Sequence, residues 1–284
     1  MMESVILNNG VLMPLSGLGV FQITDQWQCE QTVQDALQIG YRMIDTAACY
    51  GNEAAVGRAI EKSGLAREEL FLISKVWIQD AGYEKTLASF EKTLRNLKTS
   101  YLDLYLIHMP FGDYHGSWRA MEELYETGRV RAIGVCNFME ERLVDLILSH
   151  RIVPMVNQIE CHLFCQQKKL RQRMADYDIR TMAWAPFAEG QQGLFSHPVL
   201  TAIGTPHGMT AAQVALSWLR QQGIIAIPKS VHHERLEENH RAQEYTLSTT
   251  DMEALAMLDQ GQSLILDLCS ADEVYRLHDI QFEQ

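Results

Sequence analysis

Residues 70–108 read LFLISKVWIQDAGYEKTLASFEKTLRNLKTSYLDLYLIH. The segment begins and ends on runs that are almost wholly apolar, LFLISKVW at 70–77 and LDLYLIH at 102–108. Short continuous apolar runs suit strands buried on both faces of a parallel sheet. Between them Leu87, Phe90, Leu94 and Leu97 recur at spacings of three and four, one apolar stripe of a helix over 84–98. The stretch is therefore one strand–helix–strand unit. Each strand carries a polar residue toward its carboxyl end, Lys75 in the first and His108 in the second.

The same alternation extends in both directions. Further strands are expected at GLGVF (17–21), RMIDT (42–46), RAIGVCNF (131–138), MVNQIE (155–160), IRTMAWA (179–185) and IIAIP (224–228). Helical stripes recur at Leu143, Val144 and Ile147, and at Val214, Trp218 and Leu219. Thr210 with Gln213 makes a capping box at the start of the latter helix. Ahead of the repeat, VILNNGVLMPL predicts a β-hairpin turning at Asn9-Gly10. Eight strands alternating with helices, with no linker between them, predict an α/β fold: a (β/α)8 barrel capped by an N-terminal hairpin, with residues 1–284 as one domain. A doubly wound open sheet is the alternative. Against it, GLGVFQ at 17–22 lacks the third glycine of the GxGxxG dinucleotide fingerprint.

Composition removes several function classes. Lys plus Arg total 24 against 36 Asp plus Glu, a formal charge of −12. Nucleic acid and anionic membrane surfaces need basic patches, so neither is expected as a partner. No apolar run reaches the length of a membrane span, and MMESVILNNG does not resemble a secretion signal. The cysteines, at 29, 49, 136, 161, 165 and 269, form no CxxC pair, which suits a reducing compartment. A cytoplasmic protein follows, and with no heptads a monomer is the default. Cys161, His162 and Cys165 are close in sequence, but no second ligand pair has zinc spacing, so no metal is expected. His115, His162, His197, His207, His232 and His233 are taken as surface or loop residues.

In a barrel the chemistry sits at the carboxyl ends of the strands. The polar residues there are Asp45, Lys75, His108, Asn137, Gln158, Lys229 and Ser230, and Tyr50 follows Asp45 in the loop DTAACYGNE (45–53). Reducing a carbonyl builds negative charge on oxygen and needs a proton delivered there. A phenol of pKa about 10 is a weak acid for that purpose. A nearby Lys75 ammonium is expected to lower it; two pKa units require about 2.7 kcal/mol. Asp45 would keep Lys75 charged, and His108 would orient the carbonyl. Two other classes compete: a barrel isomerase or hydrolase working through Asp45 and His108, and a non-catalytic relative that retains a ligand site for sensing. The first leaves Tyr50, Asn137 and Gln158 unused; an intact Asp-Tyr-Lys-His set counts against the second.

DTAACYGNE, ISKVW (73–77), LIHMP (106–110), GVCNF (134–138), VNQIE (156–160) and IPKSVHHERLEEN (227–239), in this order, resemble the aldo-keto reductase family, in particular short bacterial methylglyoxal and diketogluconate reductases. The resemblance runs from MPLSGLG (13–19) to Asn239. It implies Tyr50 as proton donor, Asp45 and Lys75 as the pair that tunes it, and His108 as the substrate-orienting histidine. It implies further that Asn137 and Gln158 hold a nicotinamide carboxamide while Trp184 stacks on the ring. Lys229, Ser230, Arg235, Glu238 and Asn239 would take the adenosine end, with Arg235 favouring NADPH over NADH. The substrate would be a small aldehyde or ketone, methylglyoxal-like, against Phe21, Trp77, His108 and Met109. This sequence departs from the family pattern in three places. Cys136 replaces the usual serine, Trp184 the commoner tyrosine, and Met109 a tryptophan that often follows the histidine. Met109 and the short HMPFGDYHGSW segment (108–118) imply an open pocket, while the tail at 260–284 carries no readable pattern.

Overall fold

The computed structural model describes residues 3–282. Strands β1 (Ser4–Ile6) and β2 (Leu12–Pro14) pair antiparallel, with Ser4 opposite Pro14. Gly10 takes φ 87° in the turn, a conformation costly for a side chain bearing a Cβ. Eight parallel strands follow: β3 (Leu18–Gly19), β4 (Met43–Asp45), β5 (Phe71–Val76), β6 (Leu104–Ile107), β7 (Ile133–Cys136), β8 (Val156–Glu160), β9 (Arg180–Trp184) and β10 (Ile225–Ala226). Each pairs with its sequence neighbours in order. The ring closes between the first and last: Gly17 N–H donates to Ala226 O at 3.0 Å, Ala226 N–H to Leu15 O at 2.9 Å, and Gly19 N–H to Pro228 O at 3.2 Å. A Cβ on Gly19 would stand 2.9 Å from Ile227 O, so the seam requires glycine there. The glycines of GLGVFQ thus serve barrel closure, and the open-sheet alternative falls.

The expected strands are all present, and every residue of the expected helical stripes lies in a helix. Helix α1 (Gln26–Ile39) and α2 (Glu53–Ser63) precede α3 (Tyr83–Leu97), which buries Phe90, Leu94 and Leu97 and leaves Leu87 partly covered. Burying a side chain such as Phe90 stabilises by about 1.5–3 kcal/mol; Phe90→Ala, leaving a cavity as well, would cost about 3–5 kcal/mol. Helices α4 (Tyr114–Glu126), α5 (Glu140–Ser149) and α6 (Lys168–Ala175) continue the outer ring. Then come α7 (Pro198–Gly204), α8 (Ala211–Gln221), α9 (His233–Arg241) and α10 (Thr249–Ala256). The capping box opening α8 is formed: Gln213 N–H donates to Thr210 Oγ1 at 3.2 Å and Thr210 N–H to Gln213 Oε1 at 3.0 Å.

The hairpin covers the amino end of the barrel. Asn8 Nδ2 donates to Pro154 O, Asn9 Nδ2 to Arg131 O, and Arg180 Nε to Ile6 O, tying it to the entries of β7, β8 and β9. The tail is the unanticipated element. It forms α11 (Ala271–Asp279) and packs Leu266, Leu268, Leu277 and Phe282 against Trp77, Ile78 and Met109, beyond the carboxyl end of β5. Among the described residues no helix is long and apolar enough to cross a membrane.

Candidate active site

Strand β4 ends on Asp45 and β5 carries Lys75 near its end, so their side chains meet inside the barrel mouth. Lys75 Nζ donates to Asp45 Oδ1 at 2.6 Å and to Thr46 O at 2.9 Å, and lies 3.5 Å from the Tyr50 hydroxyl. Lys75 is fully buried and Asp45 nearly so. Tyr50 reaches the pair from a single helical turn, 48–50, that closes on Gly51 at φ 67°. His108, just past β6, stands edge-on to Tyr50 with ring centres 5.5 Å apart, and Trp77 presents a second edge at 4.9 Å. The structure thus brings Asp45, Tyr50, Lys75 and His108 into one cluster.

Burial sets the protonation states. The Tyr50 phenol is pushed well above its usual value, first by removal from water and then by the Asp45 carboxylate. This reverses the expectation that Lys75 lowers it. The ammonium lies closer to Asp45 than to the phenol, and the carboxylate cancels much of its field there. Burial also drives His108 well below the usual imidazole range, with Lys75 adding to the effect, so its ring is neutral near pH 7.

The amides form a second layer. Asn137 leaves β7 in the left-handed conformation, φ 64°, which asparagine tolerates better than most residues. Its Nδ2 donates to His108 O at 3.1 Å, and its Oδ1 accepts the Trp184 indole N–H at 2.8 Å. Gln158 Nε2 donates to Asp45 Oδ2 at 2.9 Å, which joins this layer to the ion pair. The Cys136 thiol is buried, 3.8 Å from Gln158 Oε1.

A family model described as the aldo/keto reductase family matches residues 17–260. The chain belongs to that family. Glyoxal reductase of Bacillus subtilis (strain 168) is 47% identical over 261 residues, covering 92% of this chain and 94% of that protein. Morphine 6-dehydrogenase of Pseudomonas putida is 42% identical over 269 residues, 90% of each. Among solved structures, the aldo-keto reductase MGS-M4 from a Medee basin deep-sea metagenome library superposes with a TM-score of 0.92 at 40% identity, covering 95% of this chain and 100% of that one. A Gox0644 variant in complex with NADPH superposes at 0.89 and 37% identity, covering 94% and 97%.

In this aldo/keto reductase the remaining expected residues separate into two places. Lys229, Ser230, Arg235, Glu238 and Asn239 line a cleft of about 470 Å³ together with Phe187, Phe195 and Thr210. No side chain caps the start of α9, so its first N–H groups are open to an acceptor. Lys229 and Arg235 take part in no ion pair among the described residues. Two unspent cations beside an uncapped helix start, in a protein of charge −12, fit a phosphate-bearing cofactor. Glu238 is engaged differently: its carboxylate accepts from Thr210 Oγ1 at 2.7 Å and ties α9 to the start of α8.

The proposed substrate walls also divide. Phe21 is exposed and lies 4.9 Å, centre to centre, from the Tyr50 ring. Trp77 and Met109 are buried beneath the tail, where Trp77 Nε1 donates to Ile280 O and Gln79 exchanges hydrogen bonds with Phe282. The pocket is therefore less open on that side than the short 108–118 segment implies, because the tail supplies the missing wall. His162 likewise is no surface residue. It is fully buried, accepts the N–H groups of Phe164 and Cys165 at Nδ1, and bonds Glu160 through Nε2. With both ring nitrogens engaged, it is a structural part of a tight turn.

Two features escaped the sequence reading. Cys49 Sγ lies 3.4 Å from His108 Nδ1, and Glu160 anchors the tail through Ser263 Oγ and Leu264 N–H. A cysteine one place before the candidate donor is the only sequence signal for the first. Nothing in the apolar pattern flags the second.

Proposed function

We propose that the protein is an NADPH-dependent reductase of aldehydes and small ketones, with methylglyoxal-like 2-oxoaldehydes as favoured substrates. What carries the reading is the fully buried Lys75 ammonium, 2.6 Å from Asp45 and 3.5 Å from the Tyr50 hydroxyl, beside the neutral ring of His108. Glyoxal reduction by the Bacillus relative supports the substrate class, and NADPH bound to the Gox0644 variant supports the cofactor.

When bound, the nicotinamide supplies a hydride to the carbonyl carbon. His108 donates a hydrogen bond to the carbonyl oxygen and fixes its direction. Tyr50 gives that oxygen its proton. Its raised pKa keeps the phenol intact at neutral pH, and a developing alkoxide is more basic than a phenolate, so the transfer remains downhill. Lys75 then steadies the phenolate left behind, with the part of its field that Asp45 does not offset. Asp45 holds Lys75 in place. Asn137 and Gln158 would hold the carboxamide, Trp184 would stack on the ring, and Lys229, Ser230 and Arg235 would take phosphate.

An acidic composition without heptads makes a monomer part of the proposal. Its free thiols suit the reducing cytoplasm. Tyr50→Phe tests the core of the mechanism. Turnover of methylglyoxal should fall by about 10²–10⁴, with NADPH affinity measured by fluorescence unchanged; retained turnover refutes the donor role. Arg235→Ala tests the cofactor assignment. NADPH should weaken far more than NADH, and equal losses would place the 2′-phosphate elsewhere.

A further inference from the structure

The DTAACYGNE loop sets Cys49 immediately before Tyr50, in the same helical turn. There it packs among Trp77, Ile78, Met109 and the tail residue Leu277. Its sulfur lies 3.4 Å from His108 Nδ1. The edges of Trp77 and Tyr50 against His108 hold the imidazole so that this nitrogen faces the thiol. The other ring nitrogen, Nε2, has no protein hydrogen-bond partner among the described residues, and His108 retains 8% exposure at the barrel mouth.

A neutral imidazole has one donor and one acceptor nitrogen, and the partner of one decides the role of the other. Two arrangements fit the sulfur–nitrogen contact. If Nδ1–H points at sulfur, Nε2 offers a lone pair to the mouth and repels a carbonyl oxygen. If the thiol S–H points at Nδ1, the proton sits on Nε2 and faces the substrate. Imidazole nitrogen is a much better acceptor than sulfur, which favours the second arrangement. The thiol also keeps its proton, since burial pushes Cys49 up to about 12.

We propose that Cys49 is a positioning residue that donates its S–H to His108 Nδ1 and fixes the histidine in the tautomer carrying its proton on Nε2. The inference rests on the reading of His108 as the group that orients the substrate oxygen. It adds that the orienting power is set one residue away from the proton donor, by a side chain that never touches substrate.

The test is nitrogen NMR of ¹⁵N-histidine-labelled protein, free and with NADPH, for the natural protein, Cys49→Val and Cys49→Ser. In the natural protein His108 should show an unprotonated, pyridine-type Nδ1 and a protonated, pyrrole-type Nε2. Cys49→Val fills similar space without a donor, and there the two shifts should move toward each other as tautomers mix. Cys49→Ser, which retains an X–H donor, should restore the separation. In kinetics Cys49→Val should lose about three- to tenfold in kcat/KM for methylglyoxal, with NADPH affinity unchanged, and Cys49→Ser should recover most of the loss. A pyrrole-type Nδ1 in the natural protein overturns the proposal, as does a Cys49→Val spectrum identical to the natural one. His108→Ala separates the two layers. If that variant keeps full activity while the tautomer pattern is as described, the catalytic reading of His108 fails and the assignment of Cys49 stands.

Discussion

The barrel holds a buried carboxylate with basic partners at each end, and the two are built differently. At the amino end Asp103, fully buried ahead of β6, receives Arg67 at 2.7 Å, Arg131 at 2.7 Å and the Leu72 N–H at 2.9 Å. Arg67 is itself pinned by Thr99 Oγ1 and the carbonyls of Leu70 and Tyr101. At the carboxyl end Asp45 has one ammonium and one amide, from Lys75 and Gln158. The lower carboxylate is saturated by rigid guanidinium forks that have nothing further to do. The upper cation retains a third neighbour, a phenol, at the long distance of 3.5 Å. The same ingredients give a fastening at one end and a site able to change its charge at the other.

Exchanging roles is the strongest way to break this contrast. Lys75→Met leaves Asp45 buried without its ion partner, which costs about 3–5 kcal/mol of stability. It also removes the cation that steadies the phenolate, so kcat for methylglyoxal should fall by about 10²–10⁴. Asp103→Asn should do the opposite. The arginines are partly exposed and rehydrate, so the loss is about 1–3 kcal/mol, roughly 2–10 °C in Tm, with kcat within about twofold of the natural enzyme. Calorimetry and steady-state assays on both variants decide the matter. An Asp103→Asn enzyme that folds but does not turn over would erase the distinction.

The asymmetry also explains what the sequence disclosed. Strands and helical stripes are legible because burial on two faces leaves long apolar runs, as in LFLISKVW and LDLYLIH. Asp45, Lys75 and His108 are legible because each is a polar residue at or near the carboxyl end of such a run. Asp103 sits within LDLYLIH and gave no such signal, since its partners lie 28 and 36 residues away at Arg131 and Arg67. The tail was unreadable for a related reason. Its helix offers only a short stripe, Val274 and Leu277, and the other residues that meet Trp77 and Met109, namely Leu266, Leu268 and Phe282, lie outside it. The tyrosine's resting acidity also lay beyond the sequence, because its sign depends on how far burial, with Asp45 added, outweighs the field of Lys75.

Acidity offers a finer test. His108 is held neutral inside, so between its lowered native pKa and about 6.5 the unfolded chain binds more protons than the native one. Stability should therefore fall as pH drops below about 6.5, with His108 contributing at most about 1.4 kcal/mol per pH unit. Urea unfolding of His108→Gln should show a shallower slope. Burial also lowers His150 and His240, so some slope will remain. On the alkaline side the Tyr50 phenol stays protonated, and kcat/KM for reduction should show no loss from this group below about pH 10. A fall centred near pH 8 would restore the idea of a phenol acidified by Lys75.

The smallest expected effect concerns the bond from Trp184 to Asn137. Trp184→Phe keeps a flat ring for stacking but removes the indole N–H that Asn137 Oδ1 accepts at 2.8 Å. Asn137 would then be held only through Nδ2, chiefly by His108 O, and its amide would be freer to turn. Losing one neutral hydrogen bond of about 1 kcal/mol corresponds to roughly a fivefold weaker NADPH Kd, with kcat little changed. Asn9→Ala is the matched control at the other end. It deletes a hydrogen bond of similar length to Arg131 O, 2.9 Å, together with longer ones to Tyr125 OH and from Val11 N–H, all on the hairpin, and should lower Tm while leaving Kd untouched. If both variants shift Tm and neither shifts Kd, the Trp184–Asn137 bond is one more fastening, and the functional asymmetry of the barrel stops at the ion pair.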